Sequence, residues 1–410
     1  MTGSEIQARI RLQLWCQNYD PEPQGIAAVT TAIAKSLMGP RTEVLVVTSH
    51  PHYPKPDWGV RIRPYKENRD GVQVLRLPIW PGRDSALHRI RQDLSSTAAN
   101  TAVAPILPST DVVIAVSPSL PALFAAMLYS RLNKVPWILW LQDIVTDGAR
   151  ATDELNQGNP VLEAARWFEK RAYKSADHII VISDAFRARL HEQGVPPTKV
   201  SRIYNPMTRT PTGRPGVDVQ TDRVRRILVM GNIGRSQGLE LIVDAFESAI
   251  ELAEMRAELV ITGTGVAFDA VSSRIRSTRV SMLGVVPGEE LDALLRSSAL
   301  GLVSQKPDLK EFNLPSKLMN YMAYGIPIIA SVDSDSETAR IVRDSGAGWV
   351  TDPADPGAFA RRSALAMRDP EALGQAAEAG LRFADENFAR SRVAMNINGV
   401  VRKVIGARSS

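Results

Sequence analysis

Lys310-Glu-Phe-Asn-Leu-Pro-Ser-Lys-Leu-Met-Asn-Tyr-Met-Ala-Tyr-Gly-Ile-Pro-Ile-Ile-Ala-Ser331 packs a helix start, a helix stop and a strand into one short run. Pro315 suits a first helical turn, because the N–H it lacks would have no intrahelical partner there. Ser316 and Lys317 then fall among unpaired backbone N–H groups, at the positive end of the helix dipole. A hydroxyl and a cation at that place make a seat for a phosphate. Gly325 ends the helix, and Ile326–Ala330, apolar on both faces, reads as a buried parallel strand. Many helices of α/β proteins open on Pro-Ser and stop at Gly. The stretch therefore decides the fold class and leaves phosphate binding as one of two readings.

Outward from it, the same strand–helix rhythm runs through the chain. Strands are expected at Arg9–Gln17, Glu43–Ser49, Val72–Pro78, Asp111–Ser117, Trp137–Gln142, His178–Ser183 and Val200–Tyr204. Residues 206–222 carry three prolines and two glycines without apolar periodicity, which marks a linker. Beyond it come strands at Arg226–Met230, Ala257–Thr262, Val280–Val285, Leu300–Ser304, Ile326–Ser331 and Trp349–Thr351. Two βα-alternating halves predict two Rossmann-like α/β domains of parallel sheet facing a cleft, over 1–205 and 223–388. A closing helical segment covers 389–410.

Composition narrows the function classes. The 410 residues are 44% apolar and 23% charged, and no run approaches the roughly 20 apolar residues of a membrane span. Met1–Ile10 lacks the apolar core of a secretory signal, so a cytoplasmic protein is expected. Cys16 is the single cysteine, which excludes a disulfide framework and a cysteine metal cage. The net charge of +5 favours acidic partners such as a diphosphate, but no dense basic block or nucleic-acid motif accompanies it.

Local features carry less. Gly25 closes a proline-stiffened loop after the first strand, where a glycine lets a ligand approach the backbone. His50 and His52 sit in a proline-bound loop with no third metal ligand evident, and read as surface or substrate contacts. Asp143 follows the carboxyl end of a strand, where open α/β sheets hold ligands. Within 82–109, Leu87, Ile90 and Leu94 are spaced for one weakly apolar helix face.

Taken together, Gln17–Gly25, Ser175–Ser183, Gly231-Asn-Ile-Gly-Arg-Ser-Gln-Gly238 and Leu314–Pro327 resemble the family-4 retaining glycosyltransferases, and most of all their bacterial branch that builds surface polysaccharides. The resemblance covers nearly the whole chain. It implies the two-domain GT-B architecture, with the final helix crossing back to the N-terminal domain. It implies a nucleoside-diphosphate sugar donor, UDP-linked, a hydroxyl acceptor and no bound metal. The diphosphate would meet Arg235, Ser316 and Lys317, and Asn232 and Gly234 would lie in the same loop. Gly263 and Gly265 would let the chain turn near the donor, and Val285 would lie by the base. Gly25 would face the donor, and Asp143 would stand near the sugar.

The chain also departs from that family. Of the usual glutamate pair, the second position is Asn320 and the first is Phe312, with Glu311 beside it. The loop's common Arg and Lys fall at about Asn232 and Gln237, leaving Arg235 as its cation. Asn320 could hydrogen-bond a ribose or sugar hydroxyl but brings no charge. A nucleotide-sugar binder without transfer activity and a nucleotide-sugar epimerase are the alternatives. Since 82–109 is mostly polar, a soluble acceptor stays open beside a lipid-linked one, with weak peripheral membrane contact at most.

Overall fold

The computed structural model describes residues 9–22, 25–52, 62–82, 86–144, 160–211, 224–307 and 315–409. Two compact units divide it: Met1–Pro206 with Arg390–Ser410, and Met207–Ala389.

In the first unit the strands are β1 (Ile10–Trp15), β2 (Thr42–Ser49), β3 (Tyr65–Arg69), β4 (Val72–Leu77), β5 (Val112–Val116), β6 (Trp137–Leu141), β7 (His178–Val181) and β8 (Val200–Arg202). Among the described residues they form one sheet in the order β3-β4-β2-β1-β5-β6-β7-β8. The central strands Val-Val-Ile-Ala-Val and Trp-Ile-Leu-Trp-Leu are buried throughout, as strands covered on both faces must be. Among the described strands of this sheet only β3 runs antiparallel to its neighbour. Its sequence, Tyr-Lys-Glu-Asn-Arg, carries no apolar signal, and the sequence reading has no strand there. An edge strand tolerates that composition because one side stays wet.

Arg76 on β4 anchors this edge. It is fully buried, holds the Glu67 carboxylate at 2.9 Å and donates to the carbonyls of Ser49 and Asp20. The helix Ala86–Val103 turns differently from its expected face. Ile90 and Leu94 are 44% and 65% exposed, while Gln92, Ser96 and Asn100 are buried. The inward polar groups are satisfied locally: Gln92 accepts from the Gly82 N–H, and Asn100 donates to the Ser96 carbonyl. Hydrogen bonding, rather than apolar spacing, sets that face.

The final helix, Arg390–Ser409, belongs to this unit and packs along Ile26–Leu37. Val393, Ile397, Val401 and Val404 supply its buried stripe at helical spacing. Arg408 pairs with Asp177 at 3.0 Å, and Lys403 donates to the Thr198 carbonyl. Near that contact lies His178, buried on β7 and 2.9 Å from the Ser201 hydroxyl. Burial, then the Lys403 and Lys199 ammonium groups, lower its pKa from 6.5 to about 4. A group held below its unfolded value contributes stability above pH 6.5 that is lost as pH falls toward 4. Urea unfolding across that interval should weaken wild type more than His178→Gln; equal losses would remove His178 from the account.

The second unit holds β9 (Val224–Met230), β10 (Glu258–Thr262), β11 (Val280–Gly284), β12 (Ser298–Ser304), β13 (Ile328–Ser331) and β14 (Gly348–Thr351). Among the described residues they form an all-parallel sheet in the order β11-β10-β9-β12-β13-β14. Ile227, Val229, Ile261, Leu300, Leu302 and Ile329 line one face, under Leu239, Phe246 and Phe359. Gly301 points the other way, toward the helix Ser316–Ala323, and a side-chain carbon there would lie 2.5 Å from the Tyr321 ring. Strand order reverses between β9 and β12. Their carboxyl ends are where such a sheet holds its ligand.

Candidate functional site

At that reversal, the loop leaving β9 is Gly231–Gly238, ending in a one-turn 3-10 helix over Arg235–Gln237. Backbone bonds lock it to the loop leaving β10. Gly231 N–H reaches the Thr262 carbonyl at 2.9 Å, and Ile233 N–H reaches Thr264 at 2.9 Å. The Ala267 N–H returns to the Ile233 carbonyl at 3.0 Å. A side-chain carbon at Gly263 would lie 1.8 Å from the Gly231 carbonyl oxygen, and one at Gly265 would lie 2.3 Å from that of Ile233. These two glycines therefore let the protein's own backbones meet. The reason for glycine at both positions is internal.

The helix Ser316–Ala323 faces this loop. Pro315 is its N-cap rather than its first residue, and Ser316 and Lys317 open the first turn as expected. Tyr321 fastens the helix to the sheet: its hydroxyl donates to the Leu228 carbonyl at 2.8 Å and accepts from the Met230 N–H. Burial pushes that phenol's pKa upward, so it stays neutral. Lys317 is four residues earlier, on the same face, which explains why it is only 9% exposed. Its ammonium donates to Gln237 Oε1 at 2.9 Å, and Gln237 Nε2 donates in turn to the Asn232 carbonyl. The structure thus joins Asn232, Gly234, Arg235, Ser316 and Lys317 around one turn. Arg235 and Ser316 are exposed there.

Asn320 is placed differently from its expected use. It is 2% exposed, and its Oδ1 accepts from Thr208 and from the Arg209 N–H, both at 3.4 Å. The amide is engaged by the segment that enters this unit. Glu311 lies outside the described residues. Val285, just past β11, is 66% exposed, two residues from the exposed Leu283. The bond of Gln237 to Lys317 and the anchoring role of Tyr321 are not legible from sequence. Gly301 was the available signal, since a glycine inside a buried strand often marks close approach of another group.

In the first unit, Gly25 caps the helix Ile26–Leu37 with φ 67°, and nothing lies within 4 Å of where its side chain would be. A left-handed backbone explains it without any ligand. Asp143 follows β6, its backbone N–H and carbonyl both held by the Ser117 hydroxyl. His50 and His52 correct their sequence reading: both are buried. His52 donates its backbone N–H to Glu22 at 2.8 Å, its ring nitrogen lies 3.2 Å from the same carboxylate, and Asn18 donates to the other oxygen. Glu22, itself buried, is the acceptor that holds His52 inside. Among the described residues, no cluster of three or more His, Cys, Asp or Glu could hold a metal ion. No described helix is long and apolar enough to cross a membrane.

Residues 24–206 match the model of the glycosyl transferase 4-like domain, and 224–369 match that of glycosyl transferases group 1. WcaI of Escherichia coli (strain K12), named for colanic acid biosynthesis glycosyl transfer, is 26% identical over 79% of this chain and 84% of its own. WbjE of Pseudomonas aeruginosa, named as a glycosyltransferase, is 27% identical over 55% of this chain and 58% of its own. Among solved structures, a sucrose-phosphate synthase from Thermosynechococcus elongatus superposes with a TM-score of 0.73 at 17% identity, covering 97% of this chain and all of that one. Anabaena HepE superposes with a TM-score of 0.65 at 14% identity, over 96% and 100%. Both share the fold.

Proposed function

Since the chain belongs to the glycosyltransferases that join a glycosyl transferase 4-like domain to a group 1 domain, we propose that it moves a sugar from a UDP-sugar to a hydroxyl acceptor with retention of configuration. The observation that carries this reading is the turn at the β9–β12 reversal. There a helix start, an exposed Arg235 and a buried Lys317 aimed by Gln237 converge. Such fixed donors stabilise charge as it grows on a departing diphosphate. The structural neighbour HepE, solved with UDP, with UDP and glucose and with UDP-glucose, supports the donor class. Exposed Val285 and Leu283 offer an apolar rest for the base.

In the proposed step the bond from the anomeric carbon to the diphosphate oxygen breaks. The acceptor oxygen bonds that carbon from the face the diphosphate leaves, and its proton passes to the leaving oxygen. Arg235, Lys317 and the Ser316 hydroxyl and N–H take the role that a metal plays elsewhere, so turnover needs no divalent ion. Asp143 and Gly25 are the first unit's proposed contributions, toward sugar and donor. WcaI's name supports a surface-polysaccharide glycan as acceptor. Exposed Ile90, Leu94 and Trp80, with Arg91 5.0 Å over the Trp80 ring, favour a lipid-linked form of it.

The test is acceptor-dependent release of UDP from UDP-sugars in EDTA, with the product anomer read by NMR. Release without acceptor would point to hydrolysis or to an epimerase. An inverted product would end the retaining reading, and restoration only by a divalent ion would end the metal-free one.

A further inference from the structure

Lys306 stands against the turn that holds Arg235, although it comes from a different loop. It lies two residues beyond β12, and its backbone N–H donates to the Ser236 carbonyl at 2.8 Å. That bond pins its Cα to the middle of the Arg235–Gln237 turn. Its stem runs over Gly238: a side-chain carbon added there would lie 3.1 Å from Lys306 Cγ. Gly238 is the left-handed cap, φ 60°, of the helix Leu239–Ser248, so the stem lies across the start of that helix. Lys306 and Arg235 are both exposed, and among the described residues neither has a carboxylate partner.

Two cations thus flank one turn with no acidic side chain paired to them there. Cations on one turn without acidic partners favour an anion beside them. The loop 231–238 itself brings one cation, Arg235, because Gln237, which receives Lys317, is neutral. We propose that Lys306 is a further diphosphate-binding residue of the donor site, supplying from the β12 loop the positive charge that position 237 does not. The proposal rests on the nucleotide-sugar reading above. It differs from a solvated surface lysine in one respect: its contribution depends on the phosphates of the ligand and not on the nucleoside.

Calorimetry with UDP and saturation-transfer NMR with uridine separate the two. Lys306→Ala is expected to weaken UDP about 10-fold, the range of a charge-assisted hydrogen bond. Uridine should be held as by wild type, Lys306→Arg should recover most of the loss, and the salt dependence of UDP binding should flatten in Lys306→Ala. Unchanged UDP affinity in Lys306→Ala would overturn the proposal. An equal loss for UDP and uridine would also overturn it, by making the residue structural. Wild type that binds UDP normally leaves the donor reading standing in either case; wild type that binds no UDP would take both down.

Discussion

Lys317→Ala is expected to lower turnover about 100- to 1000-fold, the effect of removing one fixed donor from developing negative charge. The side chain is nearly buried on the sheet side of its helix, and its ammonium is held 2.9 Å from Gln237 Oε1. That geometry aims the charge before any ligand arrives, so no reorganisation is spent on it during reaction. The fold should lose little: Gln237 keeps its bond to the Asn232 carbonyl, and the freed oxygen lies close enough to the surface to take water. A cost of about 1 kcal/mol is the scale of one such hydrogen bond. Arg235→Ala should act on the same charge, and the double variant should fall short of the sum of the singles, because residues sharing a partner couple. Turnover with calorimetry of UDP on each variant checks this. Equal turnover and equal affinity in Lys317→Ala would dissolve the assignment of the site.

The halves of the site were unequally legible in sequence. Pro315-Ser-Lys317 announced a helix start because proline, hydroxyl and cation each have a local reason to be there. The parallel strands were legible because apolar runs bounded by turns leave few alternatives. What could not be read was set by contacts distant in sequence. Nothing near Gln237 says that it receives Lys317, which lies 80 residues away. Nothing near Asn320 says that Thr208 and Arg209 occupy its amide, more than 100 residues distant. The inward turn of Gln92, Ser96 and Asn100 failed for a related reason: an apolar-spacing rule presumes that the buried face is apolar, and here hydrogen bonds satisfy a polar one. Nothing near His50 and His52 in sequence says that both are buried, or that His52 meets Glu22, 30 residues away.

Gly263→Ala tests whether the donor loops are built by their own interlock. The residue sits at φ 129°, and an added carbon would lie 1.8 Å from the Gly231 carbonyl oxygen and 2.8 Å from its carbon. Neither atom can yield, since both belong to backbone tied at Gly231 N–H to Thr262 and at Gly263 N–H to Gly284. The two loops must separate, and the bonds from Ile233 to Thr264 and from Ala267 to Ile233 go with them. Backbone strain and overpacking together should destabilise the second unit by about 3–5 kcal/mol. UDP binding should fall further than stability alone explains, because the turn bearing Arg235 hangs from the displaced loop. Gly25→Ala is the control for stability alone: its φ of 67° is also positive, but nothing lies within 4 Å, so its melting should reflect strain of about 1–2 kcal/mol without overpacking. Scanning calorimetry of the two variants distinguishes them. A Gly263→Ala protein that melts like wild type and binds UDP as well would mean that the loops do not meet at Gly231, and the site would need another frame.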